Sequence, residues 1–115
     1  MDYRISSNGN KTEVNLAGRL TFDENQQFRE IITEIAELGG SQTILDLCNV
    51  EFIDSAGLGL LLRIKAEVER VGNTVGMKVS TGGQVKDMID VAHFEQLIPI
   101  ISDCALILAQ SGGLL

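Results

Sequence analysis

A chain of 115 residues has the length of one domain, so a second domain is not expected. Its formal net charge of -7 argues against binding to nucleic acid or to an anionic membrane surface, because both need clustered Lys and Arg. No stretch approaches the ~20 apolar residues of a membrane span and no secretory segment opens the chain. These features predict a cytoplasmic protein whose partners are other proteins.

The first predicted element is a β-hairpin. Residues 3–7 and 11–17 form two short strand-like runs, and the Asn-Gly sequence between them is a strong hairpin signal. The second run alternates polar and apolar residues, as a half-buried strand does. Gly18 is expected to end it.

A helix with one apolar face is predicted next. Thr21 and Glu24 have the spacing of a capping box and Asp23 adds negative charge, so the helix should start near residues 22–24. A Gly-Gly pair then provides the stop. The apolar residues recur at intervals of three and four and are expected to cover a sheet: Phe28, Ile31, Ile32, Ile35 and Leu38.

The middle of the chain predicts a buried strand and a second helix. Residues 43–47 are mostly apolar without a clear period, which favours a central strand buried on both faces. The helix is expected over about 56–71. One stripe of this helix should face the sheet: Leu58, Leu61, Ile64, Val68 and Val71.

The remaining third predicts a strand at 74–79, a loop, and a short helix at 84–91. A further strand is expected at 97–101, and Pro99 within it indicates a sheet edge because proline cannot donate to a ladder. Ser102 or Asp103 would cap a fourth helix. The third helix should turn three residues inward: Val85, Met88 and Ile89.

This order of elements predicts an α/β fold. After the hairpin, strands and helices alternate, and short right-handed crossovers would make most of the sheet parallel. The expectation is a single domain with a central mixed sheet of about five strands and about four α-helices. Working loops in such sheets gather at the carboxyl ends of the strands, here residues 49–55 and 80–83.

Two cysteines remain to be placed, Cys48 after the core strand and Cys104 in the late helix. Neither belongs to a pair with metal-ligand spacing or has a histidine nearby. Both are therefore expected to be reduced and buried as small apolar residues.

The longer loop ends at Asp54-Ser55, where the second helix begins. A serine in this position is suited to cap the helix through its side-chain oxygen. The unpaired amides and the dipole of a helix start also favour a phosphate on the same hydroxyl. The local sequence leaves both roles open for Ser55.

Catalysis by Ser55 itself finds little support. An esterase elbow reads Gly-x-Ser-x-Gly, but Ile53 stands where the first glycine belongs, and the general base would have to be His93, the single histidine. Gly57 and Gly59 do not make a dinucleotide fingerprint, because the third glycine and the acidic residue are missing. We therefore predict no catalytic residue and no cofactor.

Asp46 and Asp54 flank the loop and raise the possibility of a magnesium site beside a phosphate. A simpler account is that Asp46 accepts hydrogen bonds from loop amides and Asp54 assists the helix start. This account is preferred, and no metal is predicted.

The helix also carries a strip of small residues away from its buried stripe. On a helical wheel Ser55, Gly59, Leu62 and Ala66 fall close together, with Arg63 beside them. Glycine in a helix interior costs roughly 0.5–1 kcal/mol relative to alanine, so its presence needs a reason. Either Gly59 packs tightly under a neighbouring loop, or this small-residue strip is a docking surface that brings a partner to the Ser55 hydroxyl.

The sequence Leu45-Asp46-Leu47 and the run at 52–59 closely resemble the signature of the STAS family, the sulfate transporter and anti-sigma factor antagonist domain. The likeness extends to residues 16–20 and 85–89 and so covers nearly the whole chain. It implies a STAS domain over residues 1–110, followed by a short tail at 111–115.

In the antagonist branch of this family, the serine of the Asp-Ser-x-Gly-Leu motif is phosphorylated, which by resemblance assigns that role to Ser55. The resemblance implies a cycle in which the dephosphorylated protein binds an anti-sigma factor that is also a serine kinase with a histidine-kinase-like ATPase fold. Binding frees the sigma factor, phosphorylation releases the antagonist, and a serine phosphatase resets it. ATP and magnesium belong to the kinase.

The strip and the resemblance together predict a partner-binding surface. In the family an aspartate often follows the Gly-x-Leu turn directly, whereas here Thr21 and Phe22 come first, so the role of Asp23 stays open. Ser80 and Thr81 are accessory phosphate acceptors or ordinary turn residues. The alternative function is a STAS scaffold that binds a partner, or a small apolar ligand, without phosphorylation. The predicted partner-binding residues are Asp23, Asp54, Ser55, Ala56, Gly57, Gly59, Leu62, Arg63, Ala66 and Thr81.

Overall fold

The computed structural model describes residues 1–38 and 40–104. Within them the chain forms one five-stranded sheet and three α-helices, a single mixed α/β domain as predicted. The strands are β1 (Asp2–Asn8), β2 (Lys11–Leu20), β3 (Gln42–Ile53), β4 (Thr74–Val79) and β5 (Ile100–Asp103). The helices are α1 (Asn25–Leu38), α2 (Ser55–Arg70) and α3 (Gln84–Val91), with 3-10 turns at Phe22–Glu24 and Phe94–Gln96. The predicted fourth helix and the tail at 111–115 lie outside the described residues.

The strands lie in the order β1-β2-β3-β4-β5, so the predicted hairpin and the central position of β3 are confirmed. β1 runs antiparallel to β2, and the other pairs are parallel. Each parallel connection carries one helix and moves in the same direction across the sheet, so right-handed crossovers place all three helices on one face. Between helices and sheet lies a core that includes the fully buried Phe28, Leu45, Leu61, Met77 and Ile89. Among the described residues, no helix has both the length and the apolar character needed to cross a membrane.

β2 and β3 are both longer than predicted. Gly18 does not end β2, which continues to Leu20, and β3 continues through the expected loop to Ile53. The two strands pair in parallel over this extension, up to Leu20 opposite Ile53. Two register shifts place extra residues on β3, and such bulges interrupt the apolar pattern that marks a strand in sequence. The serine motif therefore follows a strand directly.

The predicted capping box before α1 is wrong. Thr21 makes no side-chain cap hydrogen bond, and the chain forms a 3-10 turn before α1 begins at Asn25. The Glu24 carboxylate lies 3.5 Å from the amino group of Met1. It therefore forms an ion pair there and does not accept the hydrogen bond from the Thr21 amide that a capping box requires.

The apolar faces of the helices are buried less completely than predicted. Leu38 is 45% exposed at the end of α1, and Val71 is 59% exposed because α2 ends one residue before it. Ile32 and Ile35 are half-buried and line a cavity of about 280 Å³ between the helices. The predicted stripe of α2 is otherwise confirmed, with four buried residues: Leu58, Leu61, Ile64 and Val68.

β5 begins three residues later than predicted but is an edge strand as expected. Ile98 is buried in the core, and the Pro99 carbonyl accepts a hydrogen bond from the Met77 amide at 2.9 Å. Pro99 therefore joins the ladder with β4 through its carbonyl, and the N–H group that proline lacks is not needed.

The expectation of two reduced cysteines is also wrong, because Cys48 and Cys104 form a disulfide. Cys48 lies in β3 and Cys104 directly follows β5, and β4, which lies between these two strands, ends at Val79. Their Cα atoms are 5.7 Å apart, within the range that a disulfide spans. The juxtaposition depends on strand order and register, which cysteine spacing in the sequence does not reveal.

Purified without reductant, the protein should contain no reactive thiol in denaturant. Reduction should lower the free energy of unfolding by about 2–4 kcal/mol, because it frees the unfolded chain from a loop closed across many residues. Urea denaturation with and without dithiothreitol measures this difference, and the Cys48→Ser, Cys104→Ser double variant should show none. Alkylation of both cysteines by iodoacetamide in non-reducing urea would contradict the pairing.

Candidate functional site

The predicted switch serine lies where β3 passes into α2. Ile53 ends the strand fully buried, and the Asp54 amide donates to the Leu20 carbonyl of β2 at 3.4 Å. Backbone pairing therefore fixes the chain up to the residue before Ser55. The serine is then the first residue of α2.

The helix cap is Asp54 and not Ser55. Asp54 has extended backbone angles, and its Oδ1 accepts a hydrogen bond from the Gly57 amide at 2.8 Å. Ser55 lies inside the helix and is exposed. The carboxylate thus takes the capping role that serine could have taken, and the Ser55 side chain faces solvent at the start of the helix.

Gly57 allows the first turn of α2 to pack directly on the sheet. A Cβ atom there would lie 2.2 Å from the Leu20 carbonyl oxygen and 2.7 Å from Cγ1 of Ile53, distances that no side chain could keep. The residue is buried, so it shapes the site from beneath and offers little surface to a partner.

Gly59 has the opposite environment. A Cβ atom there would meet nothing within 4 Å in the described part of the chain, so the loop-packing explanation for this glycine is wrong. The rest of the small-residue strip is also accessible, with Ala66 exposed and Leu62 half-buried. The strip therefore forms a shallow open surface that leads along α2 from Ser55, and Ala56 lies beside its start, half-buried.

The 3-10 turn at 22–24 forms one border of this surface, since it contacts α2. Arg63, exposed on α2, donates to the side-chain oxygen of Asn25 at the start of α1. Asp23 is exposed in the turn, and Phe22 is 72% exposed. Sequence reasoning missed Phe22 as a candidate contact residue, although an aromatic outside the apolar period of α1 was an available signal.

The loop between β4 and α3 leads to a side chain that contacts the end of β3, just before the serine. Thr81 is exposed there, and the Ser80 hydroxyl lies 3.7 Å from Sγ of Cys104. Gln84, the first residue of α3, hydrogen-bonds to the backbone of Ile53. No sequence motif indicated Gln84, because its partner lies 31 residues away.

Asp46 and Asp54, the two carboxylates of the rejected magnesium site, have structural roles. Asp46 Oδ1 accepts a hydrogen bond from the Cys48 amide at 2.9 Å, so local hydrogen bonding accounts for this carboxylate as it does for Asp54. His93 is exposed and follows the far end of α3, a helix about 12 Å long that starts beside β3. The described residues contain no group of three or more His, Cys, Asp and Glu side chains able to hold a metal ion.

A mixed sheet that opens with an N-terminal hairpin and carries its helices on one face, together with an Asp-Ser start to the second helix, defines a STAS domain. Residues 3–100 match the family model described as Mlab, STAS domain, and the chain belongs to that family. It is 25% identical over 95 residues to a STAS-domain containing protein of Pseudomonas aeruginosa, covering 83% of this chain and 92% of that protein.

Solved structures with the same fold include an anti-sigma factor antagonist from Mycobacterium paratuberculosis. It has a TM-score of 0.73 at 19% identity, over 96% of this chain and 92% of that one. The anti-sigma factor antagonist SpoIIAA in its unphosphorylated form has a TM-score of 0.60 at 22% identity, over 81% and 83%. Phosphorylated SpoIIAA from Bacillus has a TM-score of 0.63 at 19% identity, over 90% and 91%.

The two glycines of α2 should respond oppositely to alanine. Gly57→Ala should lower the free energy of unfolding by about 1–3 kcal/mol, because the new methyl group collides with the Leu20 carbonyl. Gly59→Ala should raise it by roughly 0.5–1 kcal/mol, because alanine is the better helix former and the space is open. Urea denaturation of this matched pair measures both effects. Equal destabilisation by the two changes would contradict the packing described for α2.

Capping can be tested in the same way. Asp54→Ala should cost about 1 kcal/mol, because the Gly57 amide loses its acceptor, whereas Ser55→Ala should stay within about 0.5 kcal/mol of the wild type. The Asp54→Asn variant, which keeps a capping oxygen, is the control. A larger loss for the Ser55 variant would mean that serine carries the cap.

Proposed function

We propose that this protein is an anti-sigma factor antagonist switched by phosphorylation of Ser55. The observation that carries the proposal is an exposed serine at the start of α2, relieved of capping by Asp54 and continuous with the open small-residue strip. The unphosphorylated strip binds an anti-sigma factor, and phosphate on Ser55 removes that binding. The protein is a substrate in this cycle and performs no catalysis.

Solved structures with the same fold support the proposal. The antagonists from Bacillus and Mycobacterium share the fold, and SpoIIAA has been solved in both unphosphorylated and phosphorylated forms. The chain itself supplies the acceptor serine and an approach to it. The proposed partners are an anti-sigma factor that is a serine kinase with a histidine-kinase-like ATPase fold, and a serine phosphatase.

In the proposed transfer, the Ser55 hydroxyl oxygen bonds to the γ-phosphorus of ATP held by the kinase. The bond from that phosphorus to the oxygen of ADP breaks, ADP leaves, and the hydroxyl proton passes to a base of the kinase. This chain contributes the oxygen nucleophile and its presentation at a rigid helix start. The phosphatase reverses the change by hydrolysis, which releases inorganic phosphate.

Electrostatics favours release of the partner by local exclusion. A phosphate carries about -1.5 to -2 charges, and its attraction to a helix start contributes only about 0.3–1 kcal/mol at a surface. In this protein the Asp54 carboxylate already accepts from the Gly57 amide, which further limits that gain. Pressing the new charge against the apolar surface of Gly59 and Leu62 would cost several kcal/mol, and about 1.4 kcal/mol already weakens binding tenfold. The fold can therefore stay unchanged while the partner leaves.

Incubation with a purified anti-sigma factor kinase, ATP and magnesium should place one phosphate on Ser55, mapped by mass spectrometry of proteolytic fragments. The Ser55→Ala variant is the control and should take up none. Phosphate found on Ser80 or Thr81 with Ser55 unmodified would overturn the assignment.

Binding to the same kinase tests the switch. Ser55→Ala should keep the affinity of the wild type, whereas Ser55→Asp should weaken it at least about tenfold, because the carboxylate places charge on the docking surface. Isothermal titration calorimetry measures both values. Equal binding by the two variants would favour the alternative of a constitutive STAS scaffold.

A further inference from the structure

β3 extends beyond its neighbour β4. It pairs with β4 only as far as Asp46 opposite Lys78, while its pairing with β2 continues to Leu20 opposite Ile53. In the described part of the chain, the last residues of β3 therefore have a strand on one side only. Their outward backbone groups need other partners, because partly buried N–H and C=O groups are costly to leave unpaired.

Gln84 supplies those partners for Ile53. The Ile53 amide donates to Gln84 Oε1 at 2.9 Å, and Gln84 Nε2 donates to the Ile53 carbonyl at 2.7 Å. A primary amide carries a donor and an acceptor side by side, so it can replace the peptide group of a missing strand. The side chain does not cap its own helix and reaches across to β3 instead.

The two residues before the serine are thereby held from opposite sides. Gln84 holds Ile53 on the α3 side, and the Leu20 carbonyl accepts from Asp54 on the β2 side. Asp54 in turn caps α2, whose first residue is Ser55. The direction in which α2 leaves the sheet, and with it the position of the hydroxyl, depends on both anchors.

We propose that Gln84 is a positioning residue for the Ser55 switch, acting through the backbone of Ile53. This inference rests on the proposed function of Ser55. Without the Gln84 amide, the junction between β3 and α2 keeps only its β2 anchor, so the hydroxyl is no longer held in one place. Phosphoryl transfer to a misplaced Ser55 hydroxyl is slow, since a displacement of about 1 Å can cost about a hundredfold in rate.

The rest of the small-residue strip, Gly59, Leu62 and Ala66, lies farther along α2, and among the described residues the Gln84 side chain hydrogen-bonds to Ile53 and not to this part of the strip. The affinity for the kinase should therefore change little. The two kinetic constants of phosphorylation, kcat and KM, should therefore respond differently. Loss of the Gln84 amide should lower kcat for phosphorylation while KM stays near its wild-type value. A residue that only supported the general fold would lower stability without this split.

The first measurement needs no kinase. In Gln84→Met, which keeps the length of the side chain but neither hydrogen-bonding group, the Ile53 amide should exchange with deuterium at least about tenfold faster than in the wild type. Gln84→Glu keeps an acceptor for the Ile53 amide but loses the donor to the Ile53 carbonyl, and it serves as the second variant in the kinetic measurement. The Leu45 amide, in the same strand but outside this junction, should keep its protection. The matched control is Gln96→Met, at an exposed glutamine.

The second measurement uses the kinase that phosphorylates the wild type. Both Gln84 variants should show kcat lowered by about tenfold or more with KM within about twofold, and Gln96→Met should match the wild type. Unchanged exchange at Ile53 in Gln84→Met, or faster exchange in this variant with unchanged kcat, would overturn the inference. Loss of protection at Leu45 would also overturn it, because Gln84 would then support the whole fold. If no kinase phosphorylates wild-type Ser55, the proposed function itself fails, and the exchange data then describe a structural contact only.

Discussion

The parallel pairing of β2 and β3 beyond the end of β4 is the constraint on which the site depends. It carries β3 outward to Ile53 and gives Asp54 a backbone partner at Leu20. Because the same Leu20 carbonyl lies against Gly57, one peptide group of β2 determines how closely the first turn of α2 can approach. The start of α2 is thus part of the rigid sheet edge, and its residues can present a reactive group without a flexible loop.

On this edge, neighbouring residues have separate tasks. Asp54 satisfies the backbone of the helix start, Gly57 permits the packing, and Ser55 is left on the surface, where no hydrogen bond within the described part of the chain gives its side chain a structural role. A residue with no structural duty can be modified without a large loss of stability. That separation suits a switch, because its two states can share one fold and differ only in the surface they offer.

Much of this fold was predictable from local sequence. The hairpin, β4, α2 and α3 follow from the Asn-Gly turn and from apolar periodicity, and the position of Ser55 at a helix start follows from the polar pair after an apolar run. The features that were missed are nonlocal. The extension of β2 past Gly18, the pairing of Gln84 with Ile53 and the disulfide each depend on strand register, which a one-dimensional pattern does not contain. The capping box failed for a related reason, because Glu24 found the amino group of Met1 as a partner.

The disulfide between Cys48 and Cys104 has a topological consequence. It closes a covalent ring across 56 positions of the chain, and that ring contains α2, β4, α3 and the serine. One peptide-bond cleavage within the ring cannot separate the molecule into two pieces while the disulfide is intact. The segments on either side of the cut stay joined through the sulfur atoms, so a nick in the loop at 80–83 would leave Gln84 and Ser55 in the same covalent molecule.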